Sequence, residues 1–100
     1  MKISEFQKLI RDIYFDRDNR RGLEGTFLWF MEEIGELARA LKRGTKEEMR
    51  EEFSDALAWL VSLASICGID MESAAEKYAD GCPKCNSTPC QCHEPDIKSK

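Results

Sequence analysis

At 100 residues, with 15 Lys and Arg against 19 Asp and Glu, the chain is one modest domain of net charge -4. That balance argues against general nucleic-acid binding, which favours basic patches. The longest uncharged run, Ala56 to Ile69, falls short of the roughly 20 residues that span a bilayer. The charge-dense N-terminus has no apolar signal region. A soluble cytoplasmic protein is therefore expected, in which five cysteines point to metal or redox chemistry before disulfides.

Ile3 to Arg20 has helical periodicity, with Ile3, Phe6, Leu9 or Ile10, Ile13 and Tyr14 at spacings of three and four. Ser4 is its candidate cap and Gly22 its stop; Arg17, Arg20 and Arg21 suit the negative end of a helix dipole. A second helix is expected from Thr26, a candidate cap, to Arg43, with Gly44 as its stop. Phe27, Phe30, Ile34, Leu37 and Leu41 form its expected core stripe, and Trp29, Glu33, Glu36 and Ala40 an adjacent face. Thr45 opens a third helix with capping-box spacing to Glu48, running to about Cys67 before Gly68. Met49, Phe53, Ala56, Leu57, Leu60 and Ala64 make its expected core stripe, with Glu52, Asp55, Trp59 and Leu63 beside it. Asp70 can cap a short fourth helix, about Met71 to Ala79, which Gly81-Cys82-Pro83 breaks. The expected fold is all-α: an antiparallel bundle of about four helices over residues 1–80, a small Cys-rich zinc knuckle at 81–93, and a flexible polar tail at 94–100.

Within these helices the acids conflict with burial. Glu33 and Glu36 are three apart and share a face, as do Glu52 and Asp55; Glu32 points one helical step away. Counted inward from the Gly44-Thr45 connection, Glu36 and Glu33 lie eight and eleven residues along one helix, and Glu52 and Asp55 seven and ten along the next. Antiparallel neighbours would hold the two pairs at matched height. An ordinary charged helix face is the competing reading, and for one such pair alone it prevails. Two matched pairs beside apolar stripes favour a cation site, and an all-oxygen set suits Mg²⁺ or Mn²⁺ and metal-assisted phosphate chemistry.

Glu32-Glu33-x-x-Glu36, followed by Glu52-x-x-Asp55 after a short connection, resembles the MazG-type nucleotide pyrophosphohydrolases of the all-α NTP pyrophosphatase superfamily. The resemblance covers about Thr26 to Ala79, including Thr26-Phe27 and Cys67-Gly68-Ile69-Asp70. It implies that Glu33, Glu36, Glu52 and Asp55 hold Mg²⁺ and that Glu32 is an assisting acid. The implied reaction cleaves a (deoxy)nucleoside triphosphate to the monophosphate and pyrophosphate. It also implies a homodimer or homotetramer with the site near the subunit interface, which the two-faced apolar character of the second and third helices suggests independently. Lys77 stands where this family often carries a phosphate-binding base. Trp29 and Trp59 flank the acids and are candidates to stack a nucleobase, although packing is the usual role of aromatics at helical spacing. The rivals are a non-catalytic, zinc-stapled nucleotide- or protein-binding module on the same scaffold, and a phosphoribosyl-ATP pyrophosphohydrolase. A di-iron carboxylate bundle would need Glu-x-x-His pairs, and the sole histidine, His93, lies outside the helices.

The resemblance does not extend to Cys82-Pro-Lys-Cys85 and Cys90-Gln-Cys92-His93, which place five potential ligands in twelve residues. Cys-x-x-Cys turns suit tetrahedral zinc. The favoured ligands are Cys82, Cys85, Cys90 and Cys92, with His93 replacing one of the last two as the alternative. A redox pair or disulfides compete. Cys67 is expected to be a buried core thiol.

Overall fold

The structure, a computed structural model, describes residues 1–93; the tail expected at 94–100 lies outside the described residues. Three α-helices follow one another among the described residues: α1 (Ile3–Arg43), α2 (Lys46–Ile66) and α3 (Met71–Ala75), then a 3-10 turn, Glu76–Tyr78. The all-α expectation holds. α1 is two helical segments that meet at Gly22, whose φ and ψ are non-helical, so the break expected there is present, and the expected fourth helix is a five-residue α3 with its 3-10 extension. No single helix among the described residues is long and apolar enough to cross a membrane.

Gly22 has φ 71° and ψ -176°, a backbone region essentially reserved for glycine. The helix resumes at once, so Thr26 lies inside α1 instead of capping a new helix. Its fully buried hydroxyl accepts the Arg21 Nε–H at 3.4 Å, and Arg21 also pairs with buried Asp18. Arg21 thus ties together residues on both sides of the bend.

The helix ends are held in ways that only partly match expectation. Thr45 caps α2 as expected: its Oγ1 accepts the Glu48 N–H at 3.1 Å, and Glu48 Oε1 accepts the Thr45 N–H at 2.7 Å. Ser4 does not cap α1, because the helix already begins at Ile3 and its first turn uses Glu5, which accepts the Lys2 N–H. The Ser4 N–H instead reaches Glu72 Oε1 at 2.9 Å, holding that carboxyl below its ordinary range. Asp70 precedes α3 without a side-chain capping bond. Buried Gln7 joins α1 to the far end of α2: its amide donates to Ser65 Oγ (3.1 Å) and Ile69 O (2.8 Å), and accepts from the Met71 N–H (2.9 Å).

Packing of α1 on α2 buries Thr26, Glu33 and Ala40 from one helix and Val61, Ser62 and Ala64 from the other. This matches the expected core stripes only in part. Ala64 is buried and Phe30, Leu37, Met49 and Ala56 are half-buried, but Phe27, Ile34, Leu41, Phe53, Leu57 and Leu60 are exposed, while Glu33 and Ala40 of the adjacent face turn inward. Two long helices offer each other one narrow contact strip, and small side chains suit it best. The bulky stripes face outward. The radius of gyration, 16.2 Å, exceeds the about 13 Å of a compact 100-residue domain.

Candidate metal centres and nucleotide cleft

The inward turn of these faces brings acids from both helices together. One carboxylate oxygen each from Glu33, Glu36 and Glu52 lies within 4.8 Å of the others. Glu33 is only 7% exposed, Glu52 is half-buried and Glu36 is exposed. Glu33 Oε2 and Glu52 Oε1 are buried and have no hydrogen-bond partner. Burial first, then the adjacent Glu52 carboxyl and the charges of Glu36 and Asp55, push the Glu33 carboxyl up to about 8. Unpartnered buried oxygens are expensive unless something coordinates them. An all-oxygen group of this kind is the donor set that a hard cation such as Mg²⁺ takes.

Asp55 stands outside the three-acid group, and Glu32 is exposed and also outside it. Asp55 lines a neighbouring cleft with Tyr14, Arg17, Asp18, Arg21 and Trp59, while its charge still acts on Glu33. It therefore connects the acids to the cleft. The cleft holds about 200 Å³, less than the roughly 300–1,000 Å³ of typical ligand pockets.

Trp59 is already engaged. Its ring lies nearly parallel to that of Trp29, centroids 6.3 Å apart, and the Arg21 guanidinium sits 4.8 Å from its centroid. Trp29 remains 52% exposed on the other side of this contact. Lys77 is exposed, 5.6 Å from the Tyr78 ring centroid, and does not line the cleft. The sequence reading passed over Asp18 and took Arg21 as a charge at a helix end. Their three-residue spacing just ahead of Gly22 was the available signal, since it puts an ion pair on one face at a helix break.

At the other end of the chain, one sulfur each from Cys82, Cys85, Cys90 and Cys92 forms a group within 4.8 Å, and exposed His93 is outside it. The Gln91 N–H holds the Cys85 thiol down at about 6, whereas the Cys90, Cys82 and Cys85 sulfurs push Cys92 up to about 12. Cys67 is exposed, not a core thiol, because α2 ends at Ile66 and the Gly68 turn carries the chain out of the packing.

Residues 21–86, well over half of the chain, match the family model of the MazG nucleotide pyrophosphohydrolase domain. The matched span opens at the bend, takes in all five acids and both tryptophans, and runs past the expected end at Ala79 to include Cys82 and Cys85, which the resemblance was expected to leave out. No curated protein matches the chain.

Proposed function

The chain belongs to the MazG nucleotide pyrophosphohydrolase family, and on that premise we propose that it hydrolyses a (deoxy)nucleoside triphosphate between the α and β phosphates. The products are the monophosphate and pyrophosphate. The observation carrying this reading is the pair of buried, unpartnered oxygens, Glu33 Oε2 and Glu52 Oε1, inside a three-acid cluster.

Glu33, Glu36 and Glu52 hold Mg²⁺ (or Mn²⁺), with Asp55 as the fourth acid on the cleft side. When bound, the cation neutralises phosphate charge and acidifies a water. Glu33 gives up its proton to make this site, since a ligand carboxyl must be ionised. Glu32, exposed one helical step away, orients the attacking water and accepts its proton. Arg17 and Arg21 face the phosphate chain from the cleft, and their planar guanidinium groups suit bidentate contact with phosphate oxygens. The exposed face of Trp29 offers a surface for the base, whereas Trp59, held by Trp29 and Arg21, would have to leave these partners to stack it. Lys77 would have to leave the Tyr78 ring to reach phosphate.

A second copy of the chain completes this site in a homodimer or homotetramer. The outward stripes present Phe27, Leu28, Phe53 and Leu57 at 47–69% exposure, and the cleft of one protomer is undersized for a nucleotide. Free thiols suit a reducing, cytoplasmic setting.

The test is pyrophosphate release by the purified chain with Mg²⁺ over a panel of NTPs, dNTPs, modified nucleotides and phosphoribosyl-ATP. Release that disappears in Glu36→Gln, with helicity intact, supports the reading. No release from any substrate overturns it, and absence of Mg²⁺ binding by calorimetry would then favour a non-catalytic binding module. Release from phosphoribosyl-ATP alone assigns that narrower activity.

A further inference from the structure

We propose that Cys82, Cys85, Cys90 and Cys92 form a closed four-sulfur site for one structural Zn²⁺, and that this ion holds residues 81–93 in shape. The site is independent of the hydrolytic reading.

Sulfur spacing is the first argument. Cys82 Sγ lies 3.7 Å from Cys92 Sγ and 3.6 Å from Cys90 Sγ. Four sulfurs at tetrahedral corners, each about 2.3 Å from a zinc ion, stand about 3.8 Å apart. A disulfide would need about 2.05 Å, and all five cysteines are free. The sulfurs are thus at the separation of co-ligands, not of bonded partners.

The backbone around them is built to keep that spacing. The Cys82 N–H donates to Ser87 O at 3.0 Å, and the Asn86 N–H donates to Cys82 O at 2.6 Å, closing a tight turn between the first two ligands and the rest. Gly81 (φ 100°) opens the turn, and a β-carbon there would come within 2.7 Å of Thr88 Oγ1. Asn86 occupies the left-handed region at φ 60°. Two amides point at sulfur: the Gln91 N–H at Cys85 Sγ and the Cys92 N–H at Cys90 Sγ, both at 3.3 Å.

Nothing apolar supports this arrangement. Residues 81–93 contribute no buried side chain, and their tertiary cohesion rests on turns and the four sulfurs. Small units without a core take their folding energy from a metal. Four protein sulfurs leave no open position, which marks a structural and not a catalytic zinc. An all-sulfur set selects zinc over Mg²⁺, just as the all-oxygen set between α1 and α2 does the reverse. Ligand chemistry therefore sorts two metals to two separate parts of one chain. His93, the alternative fourth ligand by spacing, is exposed and outside the group.

The experiment uses the full chain purified without chelator. Metal analysis is expected to return one zinc per chain. A thiol reagent is expected to find one fast cysteine, Cys67, and four protected ones, which become reactive on addition of a zinc chelator. Replacement of zinc by Co²⁺ should give the absorption of a tetrahedral four-sulfur centre, unchanged in His93→Ala and lost in Cys85→Ser. Circular dichroism of Cys85→Ser should retain the helical signal, because α1 and α2 pack without this segment. A chain that, purified without chelator, already lacks zinc and shows five fast thiols overturns the site, and a Co²⁺ spectrum altered by His93→Ala overturns the ligand set. Loss of helicity in Cys85→Ser overturns the confinement of zinc's role to residues 81–93.

Discussion

Glu33, Glu36 and Glu52 are brought together by two helices packed along their length, whereas Cys82, Cys85, Cys90 and Cys92 come together within eleven residues of turns. In the first group the helices hold the acids together by themselves and at a cost, seen in the raised pKa of Glu33 and two unpartnered oxygens, so a bound ion would meet a scaffold already formed. In the second, the proposed ion is itself the scaffold. Removing metal should therefore relieve strain between the helices only by protonation, but should dismantle the knuckle outright.

The largest expected effect is on the metal-free acid centre. The folded chain binds the Glu33 proton up to about pH 8, whereas the unfolded carboxyl titrates near 4.5. Its contribution to stability is full below 4.5 and is lost as pH rises through about 8. Over that window metal-free protein should lose on the order of a few kcal/mol, at about 1.4 kcal/mol per pKa unit. Denaturant titrations at several pH values check this. Glu33→Gln should flatten the profile, and an already flat wild-type profile would refute the assignment. Saturating Mg²⁺ should offset the loss at high pH, since binding stabilises the folded chain.

Next in size is the chemical effect of one ligand. Changing an outer-shell partner of a metal costs about 10–100-fold in activity or affinity, so Glu36→Gln should lower pyrophosphate release by about 100-fold or more. Zinc content should not change. A Glu36→Gln chain that also loses its zinc would show that the two centres are not independent.

Gly22→Ala follows, with a destabilisation of about 1–3 kcal/mol from backbone strain alone, because a β-carbon there meets nothing within 4 Å. Thermal unfolding measures it, and again the four protected thiols should stay protected. The smallest effect is Thr45→Ala, at about 1 kcal/mol for a lost cap. It loosens the connection that sets the register of the acids, so its stability loss should come with weaker Mg²⁺ binding and unaltered zinc.

Much of the acid centre was legible in sequence because its terms are local: three-residue spacing, a capping box at Thr45 and Glu48, and equal distances from one turn. Asp55, three residues from Glu52 on α2, stands outside the three-acid group and lines the adjoining cleft, a division that spacing alone does not make because Glu33 and Glu36 have the same spacing and stay together. The direction of the apolar stripes was not legible. Hydrophobicity says that Phe27, Phe53 and Leu57 should be covered, but not by what; within one protomer, Thr26, Ala40 and Val61 take the contact strip and the bulky residues face out. In the knuckle the sequence left His93 and the second cysteine pair as alternatives, and only the fold of the turns separates them.

The side chain of Gln7 has a bearing on how the chain acquires this shape. Its amide reaches partners 58–64 residues away, whereas the α1–α2 connection closes over a few residues at Thr45. Closing a longer loop costs more entropy, and contacts of high sequence separation form late. The helical hairpin can therefore assemble around its turn before the N-terminal arm docks. Gln7 then acts as the latch of the last folding event, joining the first turns of the chain to the start of α3 once the acids between the helices are already in register.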